Sequence, residues 1–348
     1  MNLTLSVLDQ SPIRPGATAA MALRETIELA QLADRLGYAR YWLAEHHASA
    51  AFAGTAPEIL IGQVARETAR IRVGSGGVML THYSPLKVAE CFRVLEALYP
   101  GRVDLGIGRA PGGTTRTALA LAHRGGPRPD TKEPLLAALD SFPAQLRDLQ
   151  GYLEDDKGPE HSFAGVRAMP QGPGVPELWL LGSGGESAGY AAESGAGYSY
   201  AHFINPGGEA LVDDYRRRFR PSARRAQPEA AIAVLALCAE TEAEARRLAL
   251  PLQLWGMRAL AGPGGGFPTA AEAEAHLTQL SAEERALLEA RAAQGAIGAP
   301  EQVARKLEAL ARGYGVREVF VLTITLDAEA RRRSYALLAE ACGIGQDA

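Results

Sequence analysis

The sequence predicts an α/β fold: a closed (β/α)8 barrel with long loops and an insertion before its last β/α unit. Three observations predict it. Eight apolar, β-branched segments recur along the 348 residues, and most are followed by a stretch of helical periodicity. Strict βαβα alternation demands parallel strands covered by helices. Eight such units close a barrel, where six or seven favour an open doubly wound sheet. A barrel can absorb the whole length, so residues 1–348 read as a single domain.

The strands are expected at 3–8, 38–45, 71–80, 102–108, 178–182, 197–203, 231–239 and 317–326. The first helix runs from Thr18 to Leu36 and the second from Pro57 to Ala69. Ser84-Pro85 opens the third with an N-cap and a first-turn proline; Val88, Phe92, Leu95 and Tyr99 form its apolar stripe, and Gly101 closes it. Residues 133–153, 187–194, 208–220 and 241–260 fill further helical slots. Pro300 opens another, with Val303, Leu307 and Leu310 on one face and Gly313 at its end, and 328–342 forms a terminal helix. Two stretches rich in Gly, Pro and Arg, 110–132 and 154–177, read as long loops around the fourth helix. Residues 251–297, with Gly262-Pro263-Gly264-Gly265-Gly266 and then an Ala/Glu-rich helical stretch, read as the insertion. Such segments in a barrel are usually lids or binding loops.

Composition excludes several classes. The 47% hydrophobic and 22% charged residues describe an ordinary globule rather than a disordered chain. Lys plus Arg (36) against Asp plus Glu (40) leaves no basic footprint for nucleic acid. The three cysteines lie far apart and suggest neither a disulfide framework nor a zinc site. No apolar run reaches the ~18 residues of a membrane span, and the chain starts in an apolar strand pattern without a basic leader. A cytoplasmic enzyme with no metal is the expectation.

In a barrel, function sits at the C-terminal strand ends. The second strand ends in Ala44-Glu45-His46-His47, titratable groups suited to proton transfer near neutral pH. Adjacent histidines in a strand point to opposite faces and chelate poorly, so a metal is disfavoured against either catalysis or plain structural hydrogen bonding. The third strand carries Gly74, Gly76 and Gly77 around Ser75. Glycine inside a buried strand marks either a bulge or a flat ligand lying on bare backbone. The fourth ends Gly106-Ile107-Gly108-Arg109-Ala110-Pro111-Gly112-Gly113, with the wrong spacing for a dinucleotide fingerprint. Arg109 reads as an anion-binding side chain or a surface ion pair. The fifth runs into Gly182-Ser183-Gly184-Gly185-Glu186-Ser187 ahead of a helix, a set of backbone N–H groups suited to phosphate. Gly185-Glu186-Ser187-Ala188-Gly189 also matches the nucleophile elbow of α/β-hydrolases, but Gly182-Ser183-Gly184 separates it from its strand.

With these residues in place, the chain resembles the bacterial luciferase-like flavin monooxygenase superfamily, and more narrowly its single-chain, alkanal-monooxygenase-like members. The segments are Leu8-Asp9-Gln10-Ser11-Pro12, Trp42 to His47, Gly76 to Leu80, Tyr83 to Glu90, Gly101 to Gly112 and Leu181-Gly182-Ser183. The resemblance implies a barrel that binds FMN at its mouth. By it, His46 matches a histidine that acts as a base beside the flavin, Arg109 an arginine on the FMN phosphate, and Gly182, Ser183, Gly184 and Gly185 a phosphate-binding turn that Ser187 extends. Ser75-Gly76 matches a cis peptide bond under the flavin ring. Gly108 departs from luciferase, which has a reactive cysteine there, so light emission is not implied.

The activity so implied is transfer of one oxygen atom from O2 to a small organic substrate by reduced FMN. The resemblance further implies a homodimer, and reduced flavin either delivered by a separate flavin reductase or regenerated from NAD(P)H. Three alternatives stand beside it: a flavin- or deazaflavin-dependent reductase of the same fold, a non-catalytic flavin-binding protein, and a serine hydrolase acting through Ser187.

Overall fold

A computed structural model describes residues 3–109, 112–123, 131, 133–261 and 265–345. The elements follow in order: β1 (Thr4–Asp9), α1 (Ala19–Leu36), β2 (Arg40–Leu43), α2 (Pro57–Arg66), β3 (Arg72–Ser75), β4 (Val78–Met79), α3 (Pro85–Leu98), β5 (Val103–Gly108), α4 (Thr115–Ala122), α5 (Glu133–Glu154), β6 (Glu177–Gly182), α6 (Gly185–Ser194), β7 (Gly197–Ala201) and α7 (Glu209–Arg218). The chain continues with β8 (Ala230–Cys238), α8 (Glu242–Ala261), α9 (Ala270–Leu277), α10 (Ala282–Gln294), β9 (Ala296–Gly298), α11 (Pro300–Tyr314), β10 (Glu318–Leu322) and α12 (Ala328–Cys342).

Eight strands, β1, β2, β3, β5, β6, β7, β8 and β10, pair in parallel in that order, and β10 closes the ring on both β1 and β8. The closing register runs from Glu318 against Ala231 to Leu322 against Leu235. This is a (β/α)8 barrel. The two short strands lie off the ring, β4 on β5 and β9 on the end of β8.

Alternation of side chains along each strand splits the core into two layers. Val7, Tyr41 and Leu43 face the helices, where they join Leu29, Ile61, Phe92 and Leu307. Leu8, Trp42, Trp179 and Phe320 face inward. There Trp42 stacks on Phe320 with ring centroids 3.9 Å apart and meets Trp179 edge-on at 5.4 Å. Small residues accommodate these rings: a Cβ on Gly74 would lie 3.0 Å from the Trp42 indole, and one on Gly197 would lie 2.6 Å from that of Trp179. Large beside small is how a barrel interior fills without voids.

Several local expectations are corrected. The third strand does not run to Leu80: it stops at Ser75, breaks at Gly76-Gly77, resumes for two residues in β4 and passes into a 3-10 turn at Leu80–His82. The cis peptide bond lies between Gly76 and Gly77, not between Ser75 and Gly76. The earlier peptide is still part of the ladder, with the Gly76 N–H donating to Leu43 O at 2.7 Å. The stretch 110–132 is not a plain loop, since α4 occupies 115–122; its residues 110–111, 124–130 and 132 lie outside the described ones. The first eleven residues of the 251–297 segment continue α8, and α9 and α10 follow, each opened by a capping box at Thr269 or Ser281. Residues 262–264 lie outside the described ones. Ser84 makes no side-chain cap, and α11 is closed by Gly315 (φ 63°) rather than by Gly313. Among the described residues no helix is long and apolar enough to cross a membrane.

Candidate functional site at the barrel mouth

Two cavities adjoin at the C-terminal strand ends, sharing Phe203 and Ile204 as a common wall. The first, about 460 Å3, is floored by Gly76, Gly77 and Gly108 and walled by Leu8, Met79 and Leu181. It ends at Arg109, Gly182, Ser183, Gly184, Glu186 and Ser187. The floor is bare backbone by necessity: a Cβ on Gly77 would lie 2.7 Å from Gly106 O, and one on Gly76 would lie 2.5 Å from the Leu8 side chain. Ser75 is not part of this surface. It is fully buried, and its hydroxyl donates to Gly106 O at 2.8 Å and accepts from Gly106 N–H at 3.0 Å. It thereby bridges the gap left where β3 parts from β5. Of the residues expected to bind, Ser75 thus lies off the cavity surface with its hydroxyl committed to Gly106.

At the far end, α6 starts at Gly185, two residues earlier than periodicity suggested, so Gly185 and Glu186 form its first turn. Gly184 is the N-cap and offers no side-chain cap, leaving the first-turn N–H groups to a ligand. Ser187 donates to Gly184 O at 2.7 Å and lies 3.3 Å from Tyr198 OH. Among the described residues no histidine bonds to it: His202 is held by Tyr314 OH at 2.9 Å and by the backbone of Gln294, and His276 lies in α9. The hydrolase triad is not assembled. Arg109 turns toward the same helix end and pairs with Glu186, while its buried Nε has no hydrogen-bond partner among the described residues.

The second cavity, about 360 Å3, holds His46 together with Gln10, Phe52, Leu235, Leu252, Trp255, Arg291, Gln294, Leu322 and Ile324. The backbone of His46 is pinned by a bond from its N–H to Gly54 O (2.8 Å), and its ring lies 4.7 Å from that of Phe52. Burial, helped by neighbouring His47, pushes the imidazole down to about 4, so it is neutral at pH 7. Its buried Nδ1 has no hydrogen-bond partner among the described residues. The neighbouring titratable groups serve a different purpose. Glu45, almost fully buried, takes His47 Nε2 at 2.7 Å, Tyr83 OH at 2.9 Å and Met79 N–H at 3.1 Å. This satisfied network fixes β4 and the strand end that presents His46. The position of Glu45-His46-His47 marked this cluster in the sequence, but no local signal separated the satisfied members from the open one. Glu186 carried a signal as a first-turn acid, whereas Arg291 carried none, being one of many charges on a helix.

The model of the luciferase-like monooxygenase family matches residues 1–318. The chain belongs to this family. Among its relatives, the uncharacterized protein YwcH of Bacillus subtilis is 48% identical, covering 97% of this chain and 99% of that one. The N-acetyl-S-alkylcysteine monooxygenase of B. subtilis is 37% identical, covering 97% and 98%. The solved structure of apo-MsnO8 superposes with a TM-score of 0.86 at 40% identity, covering 99% and 98%. More distant structures share the fold alone. One is the oxygenating constituent of 3,6-diketocamphane monooxygenase of Pseudomonas putida in complex with FMN (TM-score 0.68, 19% identity, covering 98% and 97%). Another is an F420-dependent secondary alcohol dehydrogenase (0.70, 14%, covering 98% and 99%). The first of these two was solved with FMN and the second with an F420 adduct.

Proposed function

We propose that this chain is an FMN-dependent monooxygenase that uses reduced flavin and O2 to oxygenate a small organic substrate. The observation that carries the reading is the first cavity: a side-chain-free floor at Gly76, Gly77 and Gly108 that leads straight to an uncapped helix end and the orphaned Nε of Arg109. That shape and donor set fit a flat ring ending in a phosphate. Gly182, Ser183, Gly184 and Ser187 would hold the phosphate with Arg109, and Gly185 supports them as the first residue of α6. When bound, reduced FMN supplies the electrons that activate O2.

The remaining work falls to the chain. Leu8, Leu181 and Phe203 would give the ring apolar surroundings. His46 faces the adjoining cavity with a neutral imidazole and a free Nδ1, able to accept or hold a proton there. The name of the 37% identical relative supports an S-alkyl thioether as one substrate to try.

The test is a titration with FMN, and separately with F420, followed by flavin fluorescence, then O2 consumption with an S-alkyl thioether under an FMN-reducing system. Micromolar FMN binding and substrate-linked O2 uptake are expected. Absence of FMN binding, or full turnover without O2, overturns the reading, and F420 binding in place of FMN would move it to the reductase.

A further inference from the structure

The second cavity has an unusual charge balance. Of the residues that line it, His46 is neutral at pH 7, Gln10, Gln253 and Gln294 are uncharged, and no Asp or Glu contributes. Its single formal charge is Arg291. Arg291 is half-buried on α10, one helical turn before Gln294 on the same face, and has no hydrogen-bond or ion-pair partner among the described residues. Elsewhere Arg40, Arg72, Arg216, Arg246, Arg331 and Arg333 each meet a carboxylate. The opposing wall is apolar and partly aromatic. Phe52 meets Trp255 edge-on at 5.5 Å, and Leu235, Leu252, Leu322 and Ile324 complete it.

We propose that the substrate is a monoanionic organic acid. Its carboxylate pairs with Arg291, its apolar body lies against Phe52 and Trp255, and its reactive atom points toward the wall shared with the first cavity. A half-buried guanidinium with no internal partner has its donors free for a ligand, and its planar fork suits a carboxylate. The absence of any acid in the lining leaves that ligand unopposed. The proposal rests on the flavin reading only for which end reacts; the recognition of the acid stands on the second cavity alone.

The test separates the two. Binding of 4-phenylbutanoate and of its uncharged isostere 4-phenylbutanamide is measured by calorimetry on the full chain, with and without FMN, for the wild type, Arg291→Met and Arg291→Lys. Acid binding about tenfold tighter than the amide is expected, lost in Arg291→Met and largely kept in Arg291→Lys. FMN binding, followed by fluorescence, stays unchanged in both variants and shows that they are folded. Equal binding of acid and amide by the wild type, or acid binding untouched in Arg291→Met, overturns the proposal. Failure of FMN to bind while the acid preference persists overturns the flavin reading and leaves this one standing.

Discussion

The two ends of the barrel treat charge in opposite ways. At the N-terminal end, Arg40 reaches Asp104 at 2.8 Å, Glu318 at 3.1 Å and Glu177 at 3.2 Å, while Arg72 reaches Asp104 at 2.6 Å and Trp42 donates to it at 2.9 Å. Burial opposes the charge on Arg40, but these carboxylates more than offset it and push its ionisation higher still. At the mouth, His46 Nδ1 and Arg109 Nε are buried with no hydrogen-bond partner among the described residues, and inward positions are left bare by glycine. A closed network stabilises by having nothing left to bind; an open one keeps its hydrogen bonds for a ligand. The Arg40–Asp104–Arg72 cluster is spent on the fold, whereas His46 Nδ1 and Arg109 Nε stay open at the mouth.

That contrast can be broken in four places. Asp104→Ala should have the largest effect, because it strands Arg40 and Arg72 beside the remaining acids; a loss of about 3–5 kcal/mol in a denaturant or thermal melt is expected. An unchanged melt would mean the lower network is ornamental.

Second comes the pH dependence of His46. Its folded value of about 4 lies below the unfolded 6.5, so between these pH values the unfolded chain binds a proton that the folded chain refuses. Stability therefore rises with pH across that window and is lost as pH falls from about 6.5 to about 4, by about 3 kcal/mol in all. His46→Gln should flatten this part of the melting-temperature profile while sharply lowering turnover at pH 7. A variant with the wild-type slope would show that the imidazole is not held neutral by its surroundings.

Third, Arg109→Met should weaken FMN binding about tenfold in a fluorescence titration, with little effect on the melt. Fourth and smallest, Glu186→Gln should tighten FMN binding severalfold, since the carboxylate now pairs with the guanidinium that a phosphate would need. Looser binding in that variant would mean Glu186 positions Arg109 instead of competing for it.

Much of this was legible in one dimension, for identifiable reasons. Eight β-branched runs alternating with amphipathic stretches specify parallel strands under helices, since each element must bury one face. Glycines within strands, and small residues ahead of a helix, flagged Gly76, Gly108 and Gly182 to Gly184, because bare backbone and free N–H groups are properties of residue type. The histidine pair at the end of β2 announced a site by position alone. What the chain order could not express was which partner each group would meet. Ser75 sits among these glycines, yet its hydroxyl goes to Gly106, which pairing of two strands brings near from 31 residues away. His46 and His47 are neighbours of identical chemistry, and only packing gives one of them Glu45 and leaves the Nδ1 of the other with no hydrogen-bond partner among the described residues. Arg291, from a helix more than 240 residues after His46, enters the same cavity. Residue chemistry and periodicity determined the barrel and the kind of surface at its mouth. Closure of the ring decided which donors are spent and which stay open, because hydrogen-bond satisfaction depends on distance in space.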